Sequence, residues 1–113
     1  MKTKLLIVIS SDNADTIMKF PLLYGGVSMP RGYWEEVHVM FWGASILRAV
    51  DTPSIRDKVI SMQSDGVKFS ACVVCAGEYE ATQSLEAIGI ACTHTGELLT
   101  QALKSDEWSV MTI

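Results

Sequence analysis

Apolar residues along this chain cluster into continuous runs, and between the runs they recur at three- and four-residue spacing. Leu5 to Ile9 is an unbroken aliphatic run that stops at the polar cluster Ser10-Ser11-Asp12-Asn13, which is how a parallel strand buried on both faces reads. Asp12 or Asn13 is placed to cap a helix immediately after it. Ile17, Phe20, Tyr24 and Val27 sit at helical spacing, with Pro21 and Gly25-Gly26 as sources of a kink or close packing, and Pro30-Arg31-Gly32 closes the segment. Val37 to Trp42 predicts a second strand ending at Gly43, and Ala44 to Val50 a short helix. Thr52 and Pro53 open another helix, carried by Ile55, Val59 and Met62 and stopped at Ser64-Asp65-Gly66.

A third strand is predicted over Val67 to Val74, leading into Cys75-Ala76-Gly77 and a helix through Leu85 and Ile88 that Gly89 ends. Ile90 to Thr93 predicts a short fourth strand. Thr95 is expected to cap a helix carrying Leu98, Leu99, Ala102 and Leu103, and Trp108 to Ile113 predicts the last strand. Strands alternating with helices require right-handed crossovers and a parallel sheet. The expected fold is therefore α/β, a three-layer sandwich around a mainly parallel five-stranded sheet of flavodoxin-like type. No linker, repeat or low-complexity tract interrupts it, so residues 1–113 are expected to form one domain.

Composition narrows the function. With nine basic and thirteen acidic side chains the net charge is −4, and the few Lys and Arg are scattered from Lys2 to Lys104, so no basic face for a nucleic-acid backbone is expected. A 49% hydrophobic content, a 19% charged fraction and a mean hydropathy of +0.25 exceed what so small a core needs. We therefore expect a homo-oligomer. The five apolar residues before Ser10 fall short of a signal-peptide core, and no run is long enough to span a membrane. Three cysteines cannot all pair within one molecule, which fits a reducing compartment, and a cytoplasmic location is expected.

In open α/β sheets the reactive group lies outside the carboxyl ends of the strands, near the switch in strand order. Three segments arrive there: Ser10 to Asn13, Trp42 to Ser45, and Cys72 to Gly77. Cys72 and Cys75 carry the clearest signal, because a thiol between a buried strand and a helix start feels partial positive charge that favours thiolate. Buried packing is the competing reading of each. Cys-x2-Cys is also the spacing of a dithiol redox motif, although Val73-Val74 reads as a continuation of the strand.

Cys92 and His94 extend the pattern to Cys-x2-Cys-x16-Cys-x-His, enough side chains for tetrahedral zinc, but a core of this size needs no metal and none is expected. Cys92 and His94 are instead auxiliary candidates, His94 as a base toward the same crevice. His38, inside an apolar strand, reads as a satisfied core or interface histidine. Trp42 beside Gly43 could wall a small pocket or pack at an interface. Glycine-rich nucleotide loops and hydrolase signatures are missing from the sequence. Ser10 and Asp12 remain pocket candidates by position, and no cofactor is expected, although the loop's geometry would admit an FMN phosphate.

The segments Lys4 to Ser11, Val37 to Gly43, Asp65 to Cys72 and Leu85 to Ile90, with the closing hydrophobic strand, resemble the DsrE/DsrF-like family over nearly the whole chain. The resemblance implies a compact α/β subunit that assembles into trimers or hexamers. It also implies, in active members, a cysteine after the third strand that carries sulfur as a persulfide and exchanges it with donor and acceptor proteins. By position that cysteine is Cys72. A second thiol at Cys75 would resolve such a persulfide to a disulfide and release sulfide. The expected function is sulfur carriage or thiol redox chemistry. The alternative is a non-catalytic oligomeric module, binding a small ligand or a protein, with structural cysteines.

Overall fold

The computed structural model describes residues 1–113. Five strands form one parallel sheet: β1 (Lys4–Ile9), β2 (Glu36–Phe41), β3 (Lys68–Cys72), β4 (Ala91–Thr93) and β5 (Trp108–Thr112), in the spatial order β4-β3-β2-β1-β5. Seven helices connect them: α1 (Ala14–Lys19), α2 (Pro21–Ser28), α3 (Ser45–Asp51), α4 (Pro53–Ser64), α5 (Val73–Glu78), α6 (Thr82–Glu86) and α7 (Thr95–Lys104).

From β1 to β4 each crossover steps one strand in the same direction, and the last one, through α7, reverses to place β5 beyond β1. Because parallel crossovers are right-handed, reversal of direction moves α7 to the opposite face from the other six helices. Side-chain parity agrees. Leu5, Ile7 and Ile9 pack with Ile17, Leu22, Ile46, Ile55 and Leu85 in a cluster of 21 buried residues. Leu6, Val8 and Met40 face Ala102 of α7 in a cluster of only four. The sandwich has its three layers, but they are unequal, and α7 alone covers the second face.

Several local expectations are corrected. The helix expected from Asn13 onward is two, broken at Phe20, where Pro21 starts α2 and the N–H of Phe20 still bonds to Thr16 O. Of the two expected cap candidates it is Asn13 that caps α1, its side chain accepting from the N–H of Thr16 at 2.9 Å. Thr52 is the N-cap of α4 with Pro53 at its first position, as expected, but its hydroxyl donates to Asp51 Oδ1 and makes no capping bond. The helix expected between Cys75 and Ile88 is also two, separated by Glu80 at φ 54°. Val73 and Val74 are the first residues of α5 rather than the end of β3. The β3–β4 ladder ends at the pair Cys72 and Thr93, and beyond it nothing sustains an extended strand.

No helix is long and apolar enough to cross a membrane.

Candidate functional site

At the carboxyl ends of β1, β2 and β3 the chain turns to the face carrying α1 to α6, whereas at the end of β4 it turns to the face carrying α7. The crevice where this direction changes lies between β3 and β4. Cys72 stands at its edge as the last residue of β3 and the N-cap of α5.

The cap explains why a β-branched pair becomes helical here. Cys72 has an extended backbone (φ −59°, ψ 119°), and its sulfur accepts from the N–H of Cys75 at 3.5 Å, occupying one of the open donors of the first turn. Burial pushes the Cys72 thiol up, since the residue is only 8% exposed. Hydrogen bonding opposes it, from the N–H of Cys75 first, then the thiol of Cys75, the N–H of Val74 and, least, the hydroxyl of Thr95, whose bond to the sulfur is not closed in this geometry. Together they outweigh burial, and Cys72 ionises below the ordinary thiol range.

Cys75 is shifted the other way. Burial raises it first, and donating its proton to Cys72 raises it further. The N–H of Gly43 opposes these effects, while the charges of Cys72 and Glu78 add to them. The two thiols thus divide into an anion-prone Cys72 and a proton-holding Cys75, as the acidic and basic members of a coupled pair do. Gly43 follows β2 at φ 65°, a left-handed conformation that glycine takes without strain.

Trp42, next to Gly43, is half-buried against the second-face cluster of Leu6, Val8, Met40 and Ala102. Its N–H donates to Ile9 O at 2.9 Å and to Ser45 Oγ at 3.1 Å. Ser45, fully buried, in turn donates to Ile9 O at 2.6 Å and so fastens the loop ends of β1 and β2. From sequence Ser45 reads as an ordinary helix residue, and nothing local marks this role.

The other expected site residues lie apart from the thiol pair. Ser10 donates to Ile113 O at 3.0 Å and anchors the chain's last residue, while Asp12 is exposed. Both follow β1, which lies two strand positions from β3, on the order of 10 Å away. Cys92 pairs across the ladder with Ala71, not Cys72, and packs into the first-face core. Burial and the charge of Glu86 raise its thiol, against a hydrogen bond with Thr82. His94 is exposed and occupies the N-cap position of α7 without a side-chain capping bond. No three His, Cys, Asp or Glu side chains gather where a metal could be held.

His38 is satisfied, its Nε2 lying 2.9 Å from Ser70 Oγ on the second face. Burial lowers its pKa first, Glu36 opposes that, and Lys68 adds to it.

Thr95 carries no site signal in the sequence. It is the first residue of α7 rather than its cap, it is 2% exposed, and its Oγ1 is enclosed without a hydrogen-bond partner. A polar residue at a helix start reads as a cap from sequence, so the only available signal pointed elsewhere.

No protein-family model matches the sequence, and no curated protein matches it either. Solved structures do. A conserved protein of unknown function from Bacteroides thetaiotaomicron, BT1422, superposes with a TM-score of 0.92 at 27% identity, over 98% of this chain and 95% of that one. The YchN protein of E. coli superposes with a TM-score of 0.72 at 10% identity, over 100% of both chains. A protein of unknown function from Methanobacterium thermoautotrophicum, MTH1491, superposes with a TM-score of 0.73 at 15% identity, over 99% of this chain and 100% of that one. The likeness to all three spans essentially the whole chain and establishes its α/β architecture.

Proposed function

We propose that the protein is a sulfur carrier whose reactive group is the Cys72 thiolate. The observation that carries this reading is the position of Cys72 Sγ, at the crevice between β3 and β4 and on the first turn of α5, where it receives the N–H of Cys75. The resemblance of Asp65 to Cys72 to the DsrE/DsrF-like pattern supports the same residue.

In the first step the Cys72 thiolate attacks the outer sulfur of a persulfide donor. An S–S bond forms at Cys72 Sγ, the donor's S–S bond breaks, and the donor leaves as a thiolate that takes up a proton. An acceptor thiolate then attacks the outer sulfur and releases Cys72 as thiolate. No net oxidation occurs. Cys75 offers a competing path. If it loses its proton it attacks Cys72 Sγ, forming a Cys72–Cys75 disulfide and expelling hydrosulfide. The raised pKa of Cys75 suppresses that path near neutral pH, which favours carriage over dithiol redox chemistry.

A homo-oligomer is part of the proposal. The second sheet face has one helix over it, and Trp108, Val110 and His38 on that face are only half-buried. A further copy of the chain would complete the covering.

The experiment is intact-mass spectrometry of wild type, Cys72→Ser and Cys75→Ser before and after treatment with glutathione persulfide, then after a reductant. A reducible gain of one sulfur atom in wild type and Cys75→Ser, absent from Cys72→Ser, is expected. Equal sulfur gain by Cys72→Ser would overturn the assignment. Loss of two hydrogens requiring both cysteines would establish the redox path instead. If no variant reacts, the protein is a non-catalytic binding module.

A further inference from the structure

Building on the carrier reading, we propose that Thr95 is a positioning residue for Cys72, its hydroxyl donating to the thiolate across the β3–β4 crevice. Three observations place it there, and the electrostatics of Cys72 agree. Cys72 and Thr93 are opposite one another on the last rung of the ladder, and Thr95 comes two residues later as the chain turns onto the second face. Ser70, two residues before Cys72, shares that face with Met40, its partner in β2, so the strand directs Cys72 toward α7. Thr95 Oγ1 is fully enclosed and has no hydrogen-bond partner, Cys72 Sγ included. A hydrogen bond from Thr95 is among the influences that lower the Cys72 pKa.

A buried hydroxyl without a partner is costly, and its persistence asks for an explanation. The usual one, capping, does not apply. His94 occupies the N-cap position, and Thr95 makes no bond to the first-turn N–H groups of α7. A neutral thiol is a weak acceptor, whereas a thiolate accepts strongly, so the hydroxyl finds its full partner only when Cys72 ionises. The start of the ten-residue helix α7 adds partial positive charge from the same side. Cys72 is thus held from the first face by the N–H groups of α5 and from the second by Thr95. Once the sulfur is loaded, negative charge moves to the outer atom and this bond weakens. Thr95 therefore favours the free thiolate that must attack the donor.

The test uses the full chain and three variants, Thr95→Val, Thr95→Ser and Thr95→Ala. Iodoacetamide labelling of Cys72 is measured by peptide mass spectrometry as a function of pH, with thermal melting as the control for folding. Thr95→Val, which keeps the shape and removes the hydroxyl, is expected to move the Cys72 labelling midpoint to higher pH. It should also slow labelling several-fold near neutrality, while Thr95→Ser stays with wild type. Sulfur loading from glutathione persulfide should slow in parallel at neutral pH and recover at alkaline pH. If Thr95→Val melts early, Thr95→Ala read below its own transition replaces it, with the same expected displacement. An unchanged midpoint in the hydroxyl-free variant overturns the proposal, and so does a Thr95→Ser midpoint displaced as far as Thr95→Val, which would mean packing alone. If wild type accepts no sulfur yet the midpoint shift is seen, the carrier reading fails and the positioning of the thiolate stands.

Discussion

Cys92 and Cys72 belong to neighbouring hydrogen-bonded strands, yet their side chains leave the sheet on opposite faces. The register pairs Cys92 with Ala71, and Cys72 with Thr93. Side chains alternate along a strand, so one residue's offset in pairing is enough to separate the two thiols by the sheet itself. Cys92 packs into the first-face core beside α6, with a raised pKa, away from the donors that gather at Cys72.

This separation sets the labelling order of the three native thiols. Near neutral pH Cys72 should react first with iodoacetamide, and Cys75 and Cys92 markedly later. Cys92→Ala should leave the Cys72 labelling rate and its sulfur loading unchanged. Peptide-resolved mass spectrometry reads all three thiols in one experiment. Equal rates at Cys72 and Cys92 would remove the chemical distinction drawn between them.

His38 carries a pH dependence of stability. Its folded-state pKa is lowered, chiefly by burial, so between that value and the ordinary value of about 6.5 the unfolded chain binds more protons than the folded one. Stability is therefore complete above about pH 6.5 and declines as pH falls through the lowered pKa. Urea titrations of wild type and His38→Gln at neutral and mildly acidic pH should show a steeper acid loss in wild type. Parallel losses would assign the pH dependence to other groups.

Gly89 is the backbone position least able to take a side chain. It ends the α6 turn at φ 88°, and a Cβ there would strike the Gln63 side chain, whose Nε2 donates to Ile88 O at 2.6 Å. Gly89→Ala should cost about 1–3 kcal/mol from the left-handed conformation alone, with the displaced Gln63 bond in addition. Chemical denaturation would register it as a lower midpoint at unchanged slope. A neutral result would mean that the turn relaxes freely.

The alternation of strands and helices was legible along the chain because it is local information. Leu5 to Ile9 is apolar at every position, which only a doubly buried strand or a core helix tolerates, and Pro53, Gly66 and Gly89 mark boundaries through their own backbone preferences. The spacing of Cys72 and Cys75 was equally visible. The helical state of Val73-Val74 was not, since a β-branched pair after an apolar run has strand propensity, and what overrides it is the end of the ladder at Thr93 with a sulfur cap on Cys75 N–H.

What only the tertiary structure decided are relations between segments distant in sequence. Strand order and register placed Ser10 and Asp12 two strands from the thiols and turned Cys92 to the far face. They also took Thr95 from an expected cap to an enclosed, unpartnered hydroxyl at the start of α7. The physical reason is parity: residue types record which positions prefer burial, but the neighbours a buried side chain meets depend on which strand pairs with which and on the face each crossover takes.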